Sequence, residues 1–208
     1  MIMVLNFLNA FFIAFGLIFI AELGDKTQLI ILSLACKGHS PNKLAFGAVL
    51  GFAVVVFLGG FLALIITQYI DLIWITLTAG VIFVIIGIIQ LIGLIRNHNV
   101  KIEPESEDAK SQKILNSKMQ NSVAIGFLAI FSMEMGDKTQ VMTILLAATS
   151  VSLYGTLIGS WIALSLLAII GAVAGEWLAK KVPKRKLEWV ATSAFIIIGI
   201  IMVISVVI

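Results

Sequence analysis

The sequence predicts an all-α integral membrane protein whose six transmembrane helices form two inverted repeats of three helices each. Three observations lead to this fold class. The first is composition, since 61% of the 208 residues are hydrophobic and only 12% are charged, whereas a soluble domain is about 45–50% apolar and about a quarter charged. The second is a series of six long apolar runs. The third is a charged motif that occurs twice, 112 positions apart.

Six apolar runs are long enough to cross a bilayer, which takes roughly 20 residues of helix. They cover residues 5–35, 44–66, 72–95, 123–148, 154–178 and 187–208. The first run is long enough to tilt or break. It lacks the basic residue and the small-residue cleavage site of a signal peptide, so we expect it to be the first span. The chain then divides into a first repeat at 1–96, a charged cytoplasmic linker at 97–121 and a second repeat at 122–208.

The basic residues are distributed asymmetrically. Of the 14 lysines and arginines, only Lys26 and Lys138 lie inside spans, and the rest fall in the loops after the first, third and fifth spans. The other two loops and both termini have none. The positive-inside rule therefore places the basic loops in the cytoplasm and both termini outside. The basic pI near 9.1 reflects this topology, and we expect no binding to nucleic acid.

The same charged motif lies in the first span of each repeat, as AELGDKTQ at 21–28 and as MEMGDKTQ at 133–140. Because each repeat has an odd number of spans, the second copy enters the membrane from the opposite side. The two copies then meet near the midplane, where inverted-repeat transporters hold their substrates. The residues common to both copies are Glu22, Gly24, Asp25, Lys26, Thr27 and Gln28, and Glu134, Gly136, Asp137, Lys138, Thr139 and Gln140.

Charged side chains at this depth are candidates for function. An aspartate or lysine at the centre of a membrane helix costs about 2.5–3.5 kcal/mol on insertion, so six such groups must face one another or water. The four carboxylates and two lysines sum to a charge of −2. One divalent cation or two protons would neutralise this charge in a medium of low dielectric constant. The cluster therefore suits a site that holds a divalent cation or two protons, but not both, as an exchanger requires.

The types of ligand narrow the choice of ion. Carboxylate, hydroxyl and amide oxygens favour hard cations such as Ca²⁺, Mn²⁺ or Mg²⁺. The absence of histidine and cysteine from the motif makes Zn²⁺ and Cu⁺ poor fits. An alternative is that each copy only forms a glutamate–lysine ion pair, four positions apart on a helix, that holds helices together. That alternative leaves Asp25 and Asp137 without a role.

The doubled E-x-G-D-K-T motif, at 22–27 and 134–139, resembles the transmembrane protein 165 or Gdt-type family of cation/proton exchangers. Both copies fit the family signature, and the likeness covers the whole chain. It implies transport of Mn²⁺ or Ca²⁺ against protons and similarity to bacterial manganese exporters of the cytoplasmic membrane. Eukaryotic members carry an additional N-terminal targeting sequence, and its absence here fits a prokaryotic origin.

The resemblance also implies roles for individual residues. The cation ligands and proton carriers would be Glu22, Asp25, Glu134 and Asp137. The supporting residues would be Thr27, Gln28, Thr139, Gln140, Lys26, Lys138, Gly24 and Gly136. The metal ion would be transported cargo, and no resident cofactor is expected.

Two other classes of function remain open. Exporters of a small organic solute, such as a basic amino acid, can also be six-helix proteins of this size. Divalent cations would not compete with the transport of such a solute. An intramembrane enzyme would need a histidine or an activated nucleophile beside the acids, and the motif supplies neither, so we expect no enzymatic activity.

Two further features have both a structural and a functional interpretation. The linker contains a short acidic stretch, which is either part of a solvated, disordered segment or a cytoplasmic cation sensor. Its acidic residues are Glu103, Glu105, Glu107 and Asp108. A G-x-x-x-G pattern occurs at 47–51 and again at 155–159 and allows close helix contact. We expect that contact inside the bundle, with a homodimer as the alternative.

Overall fold

Apolar helices make up the described part of the chain. The computed structural model describes residues 2–23, 25–95, 120–181 and 184–207. Within these ranges the chain forms eight α-helices and no β-strand, which confirms the all-α expectation. The helices are α1 (Ile2–Glu22), α2 (Lys26–Cys36), α3 (Pro41–Tyr69), α4 (Leu72–Ile95), α5 (Ser122–Glu134), α6 (Lys138–Thr149), α7 (Leu153–Lys181) and α8 (Lys184–Val207). The acidic stretch of the linker lies outside the described residues.

Four of the six predicted spans correspond to single helices. The runs 44–66 and 154–178 lie inside α3 and α7, 72–95 coincides with α4, and 187–208 corresponds to α8. Among the described residues, five helical segments are long and apolar enough to cross a membrane. They are Ile2–Glu22, Pro41–Tyr69, Leu72–Ile95, Leu153–Val173 and Trp189–Val206. These segments indicate a multi-pass membrane protein.

The first and fourth predicted spans are each interrupted. The helix α1 ends at Glu22 and α2 begins at Lys26, while α5 ends at Glu134 and α6 begins at Lys138. The prediction of one continuous helix over 123–148 is therefore wrong. The two pieces that replace it have 13 and 12 residues, whereas a helix that crosses alone takes roughly 20.

The second interruption has a local backbone cause. Gly136 has a φ of +83°, in the left-handed region that glycine adopts without a Cβ clash. The next residue, Asp137, is extended at φ −88° and ψ 175° and occupies the N-cap position of α6. Asp25 is extended in the same way before α2, at φ −71° and ψ 167°. Each copy of the motif thus ends one helix and starts the next.

The helix bounds recur at the spacing of the motif. The helices α1 and α5 end 112 positions apart, and α2 and α6, α3 and α7, and α4 and α8 begin 112 positions apart. The packing between helices recurs as well. The contact of α3 with α5 corresponds to that of α7 with α1, and the contact of α3 with α6 corresponds to that of α7 with α2. The helices α4 and α8 pair with each other, with the rings of Phe83 and Phe195 5.9 Å apart.

Glycines at matching positions let these helices approach closely. A Cβ atom on Gly47 of α3 would overlap the carbonyl oxygen of Val123 in α5. In the same way, a Cβ atom on Gly159 of α7 would overlap the carbonyl oxygen of Phe11 in α1. Both glycines belong to the G-x-x-x-G patterns, so these close contacts lie inside one chain, as expected. A homodimer remains a prediction.

The distribution of polarity is the reverse of that in a soluble domain. The side chains of Glu134 and Thr139 are 1% and 0% exposed, whereas those of Phe57 and Trp74 are 72% and 62% exposed. Hydrocarbon lipid accepts such an apolar exterior and excludes unpaired polar groups. The burial pattern therefore concentrates the polar chemistry in the interior, where the two helix breaks lie.

Candidate functional site

Both copies of the motif contribute to one small pocket. Glu22 and Glu134, the last residues of α1 and α5, line it together with Thr27 and Gln28 of α2. The other lining side chains are apolar: Ile31, Phe52, Ile130, Leu164, Leu167 and Ala168. The free space is about that of one water molecule. A space of this size admits a single dehydrated ion.

A hydrogen bond joins the two copies. The hydroxyl of Thr27 donates to Glu134 Oε1 at 2.8 Å, and both residues are buried. Thr27 is in the first turn of α2, and Glu134 is the last residue of α5. A hydroxyl that donates to a carboxylate forms a strong, charge-assisted bond. This bond fixes the orientation of Glu134 at the pocket and ties the two helix breaks together.

An ion pair also joins the two copies, with the cation in the second copy and its carboxylate partners in the first. Lys138 Nζ lies 3.1 Å from Asp25 Oδ2 and 3.6 Å from Glu22 Oε1. The Lys138 and Asp25 side chains are 30% and 24% exposed, whereas Glu22 is 4% exposed. The second distance is that of an ion pair rather than a hydrogen bond, and Glu22 Oε1 has no hydrogen-bond partner. One ammonium group from the second copy thus serves two carboxylates of the first.

This pairing corrects an expectation drawn from the sequence. A glutamate and a lysine four positions apart face each other only on a continuous helix. Both copies are broken between those two positions, since helices end at Glu22 and Glu134 and begin at Lys26 and Lys138. The alternative of simple intrahelical ion pairs is therefore wrong for the second copy, where the lysine pairs across to the first copy.

The glutamine in each copy of the motif forms a hydrogen bond with the backbone at the helix break. Gln28 Nε2 donates to the carbonyl oxygen of Glu22 at 3.1 Å. Gln140 Oε1 accepts from the N–H of Gly136 at 2.7 Å. Helix ends leave backbone groups without partners, and a buried unpaired group is costly. The glutamines therefore stabilise the two breaks, and Gln28 also lines the pocket.

Part of the hydrogen-bonding capacity in the interior is unused. Among the described residues, Glu134 Oε2 and Thr139 Oγ1 are buried without a hydrogen-bond partner. The Thr139 hydroxyl lies close to the Glu134 carboxylate, but the two do not meet hydrogen-bond geometry. Buried polar atoms are nearly always paired in folded proteins. An unpaired carboxylate oxygen at a pocket is suited to accept a cation or a proton.

The predicted residues are thus brought together only in part. Glu22 and Glu134 line the pocket. Asp25 shares the ammonium group of Lys138 with Glu22, and Asp137 occupies the N-cap position of α6. Within the described ranges, no three acidic, histidine or cysteine side chains are placed to hold a metal ion together. The four-carboxylate site therefore remains a prediction. Gly24 and the side chain of Lys26 lie outside the described residues.

The apolar part of the pocket was not predicted. Phe52 and Leu164 come from the middle of α3 and α7, within long runs of similar residues. Hydropathy cannot distinguish a side chain that lines a cavity from one that faces lipid. The only available signal is indirect, because α3 and α7 carry the close-packing glycines that bring them against α5 and α1.

Comparison with known proteins points to one family. The family model described as "Divalent cation/proton antiporter GDT1" matches residues 10–98 and 122–207. The chain is 27% identical over 205 residues to the GDT1-like protein sll0615 of Synechocystis sp., covering 93% of this chain and 96% of that protein. It is 23% identical over 185 residues to a Vibrio cholerae protein named "Putative manganese exporter", covering 87% and 84% of the two chains. No solved structure matches significantly.

Proposed function

Because the chain belongs to the GDT1 family of divalent cation/proton antiporters, we propose that it exports Mn²⁺ from the cytoplasm in exchange for protons. Membership of this family makes the protein a transporter rather than an enzyme. The name of the Vibrio relative supports Mn²⁺ as the first substrate. Ca²⁺ is the second candidate, because it shares the preference of Mn²⁺ for oxygen ligands.

One observation carries this proposal, namely that the two copies of the motif interlock around a single pocket. Thr27 of the first copy bonds to Glu134 of the second, and Lys138 of the second copy pairs with Asp25 of the first. If these contacts only held helices together, nothing would explain why the buried Oε2 atom of Glu134 is left without a hydrogen-bond partner. The carboxylates proposed to hold the cation, and to carry protons in its place, are Glu22, Asp25, Glu134 and Asp137.

The proposed architecture has six membrane crossings in two inverted repeats. The pairs α1–α2 and α5–α6 each form one interrupted crossing, and the other four helices each cross alone. Interrupted helices that meet near the midplane expose backbone and side-chain ligands to an ion. The recurrence of helix bounds and of helix pairings supports this arrangement. In the proposed topology the termini lie outside a prokaryotic cytoplasmic membrane, which the distribution of basic residues supports.

The proposed mechanism is alternating access. A cytoplasmic cation binds to the carboxylates while the pocket is open inward, and the two repeats then rock about the site. Protons from outside displace the cation and return to the cytoplasm on the same carboxylates. Since the carboxylates cannot hold both ligands without excess positive charge at low dielectric constant, cation and protons move in opposite directions. An inward proton gradient therefore drives export.

The proposal is tested by cation-triggered proton movement in proteoliposomes. Purified protein is reconstituted with a pH-sensitive dye inside, and Mn²⁺, Ca²⁺, Mg²⁺ or Zn²⁺ is added outside in turn. We expect the interior to become alkaline on addition of Mn²⁺ or Ca²⁺. Glu22→Gln and Asp137→Asn should each abolish this signal, because each removes one of the charges that the cation and the protons share.

The matched control is Asp71→Asn, which removes an exposed carboxylate just before α4. This variant should retain the rate of the unmodified protein. Near-normal exchange by Glu22→Gln or Asp137→Asn would rule out the four-carboxylate site. Uptake of Mn²⁺ without any proton movement would indicate a uniporter and contradict antiport.

A further inference from the structure

The ammonium group of Lys138 lies against two of the carboxylates proposed to hold the transported cation. We propose that its ammonium group is a tethered substitute for the cation, bound to Glu22 and Asp25 when the site is empty and displaced when a divalent cation binds. This inference rests on the proposed antiport. It assigns to Lys138 a role that the motif alone does not indicate, that of a built-in competitor for the substrate.

The geometry places the lysine between two of the proposed ligands. Its Nζ atom lies 3.1 Å from Asp25 Oδ2 and 3.6 Å from Glu22 Oε1. Glu22 lines the pocket, whereas Lys138 does not, so the ammonium group reaches this carboxylate from the side of Asp25. A cation that bridged Glu22 and Asp25 would have to take the place of the ammonium group.

The charges favour this exchange of partners. Glu22 and Asp25 together carry a charge of −2, of which the ammonium group of Lys138 offsets one. A divalent cation between the same two carboxylates would offset both. Residual charge is penalised where the dielectric constant is low, and Glu22 is only 4% exposed. The Lys138 side chain is 30% exposed, so it is not enclosed and has room to leave the pair.

Displacement of Lys138 would also change how the two halves of the chain are joined. Lys138 is the first residue of α6, and the carboxylates that it contacts flank the break between α1 and α2. While the ion pair is formed, it holds the two interrupted crossings together. When a cation replaces the ammonium group, that tie is released. The empty site and the loaded site therefore differ in a contact between the two repeats.

A structural ion pair and a competitor make opposite predictions for cation binding. If Lys138 only positioned its partners, its removal would weaken the binding of Mn²⁺ or leave it unchanged. If Lys138 competes, its removal takes one counter-charge away from Glu22 and Asp25 in the empty protein, and Mn²⁺ should bind more tightly. We expect Lys138→Met to tighten Mn²⁺ binding by roughly ten- to a hundredfold, since loss of one partner from a partly buried pair is costly to the empty state.

The test is Mn²⁺ titration of purified protein in detergent, with free Mn²⁺ followed by its paramagnetic resonance signal. Lys138→Arg keeps the charge and adds a planar group that pairs with two oxygens at once, so it should weaken Mn²⁺ binding while preserving the fold. Lys43→Met, at an exposed lysine in the first turn of α3, should bind Mn²⁺ as the unmodified protein does. Without metal, Lys138→Met should melt at a lower temperature than the unmodified protein, and Mn²⁺ should raise its melting temperature by the larger amount.

Two results would overturn the competitor role. One is unchanged or weaker Mn²⁺ binding by Lys138→Met, and the other is tighter binding by Lys138→Arg, which remains informative if the methionine variant does not fold. In either case, proton-coupled Mn²⁺ exchange by the unmodified protein would leave the proposed antiport intact. Failure of the unmodified protein to exchange any divalent cation for protons would instead overturn the proposed function, and the competitor role with it.

Discussion

At the scale of single residues, the second helix break depends on Gly136. Its φ of +83° is unfavourable for any residue with a Cβ atom, and no atom lies within 4 Å of the position that a Cβ atom would take. The cost of a side chain there comes from the backbone alone. We expect Gly136→Ala to lower the free energy of unfolding by about 1–2 kcal/mol. Thermal unfolding in detergent, followed by tryptophan fluorescence, measures this change.

Two variants control for the loss of a glycine as such. Gly93 lies within α4 and has no atom within 4 Å of its Cβ position, so Gly93→Ala should leave stability unchanged or raise it slightly. Gly136→Asn should cost less than Gly136→Ala, because asparagine enters the left-handed region more readily. Equal melting temperatures for Gly136→Ala and Gly93→Ala would show that the break does not require glycine.

The charged contacts between the two copies could be predicted only in part from the sequence. Two copies of six shared residues in apolar surroundings single out Glu22, Asp25 and Lys138, which the structure brings together, whereas the four-carboxylate site stays a prediction. Spacing along the chain then suggested an ion pair between Glu134 and Lys138 on one helix. The break at Gly136 removes that geometry and turns Lys138 towards Asp25 of the other copy. Such a contact depends on how two distant segments pack, and no local pattern records that packing.

At the scale of helices, close packing depends on glycines that meet a neighbouring backbone. A Cβ atom on Gly159 of α7 would overlap the carbonyl oxygen of Phe11 in α1, an atom that cannot move without shifting the helix. We therefore expect Gly159→Ala to destabilise the protein by about 1–3 kcal/mol, the usual range for overpacking. The measurement is the temperature at which the detergent-solubilised protein loses its monodisperse elution profile.

The matched control is a glycine in the other helix of the same pair. Gly16 is in α1 and has no atom within 4 Å of its Cβ position, so Gly16→Ala should leave the melting temperature nearly unchanged. If both alanine variants melted at the temperature of the unmodified protein, α1 and α7 would not be in close backbone contact. If both were equally destabilised, the effect would belong to glycine in a membrane helix rather than to this contact.

Hydropathy predicted which segments are helical but not where two of them break. The run 72–95 coincides with α4, because its composition is apolar throughout and its ends are clear. The run 123–148 is apolar on average, and averaging conceals the three residues between Glu134 and Lys138 that leave the helix. A glycine within an apolar run is compatible with a helix break or with close helix packing, and Gly136 and Gly159 show one of each.

At the scale of the whole molecule, the proposed topology follows from the uneven distribution of basic residues. Cys36, the only cysteine of the chain, is exposed at the end of α2. It immediately precedes the first basic loop, which the positive-inside rule places in the cytoplasm. Val151 is 72% exposed and lies between α6 and α7, in a loop without basic residues that should face outside. The two positions therefore report on opposite sides of the membrane.

We expect a membrane-impermeant maleimide to label Cys36 in inverted membrane vesicles but not in intact spheroplasts of an expressing bacterium. The double variant Cys36→Ser, Val151→Cys should show the reverse pattern, and Cys36→Ser alone should not be labelled in either preparation. Labelling of both cysteines from the same side would place α2 and the α6–α7 loop on one face of the membrane. The second copy of the motif would then not enter from the opposite side, and the inverted repeat on which alternating access depends would be excluded.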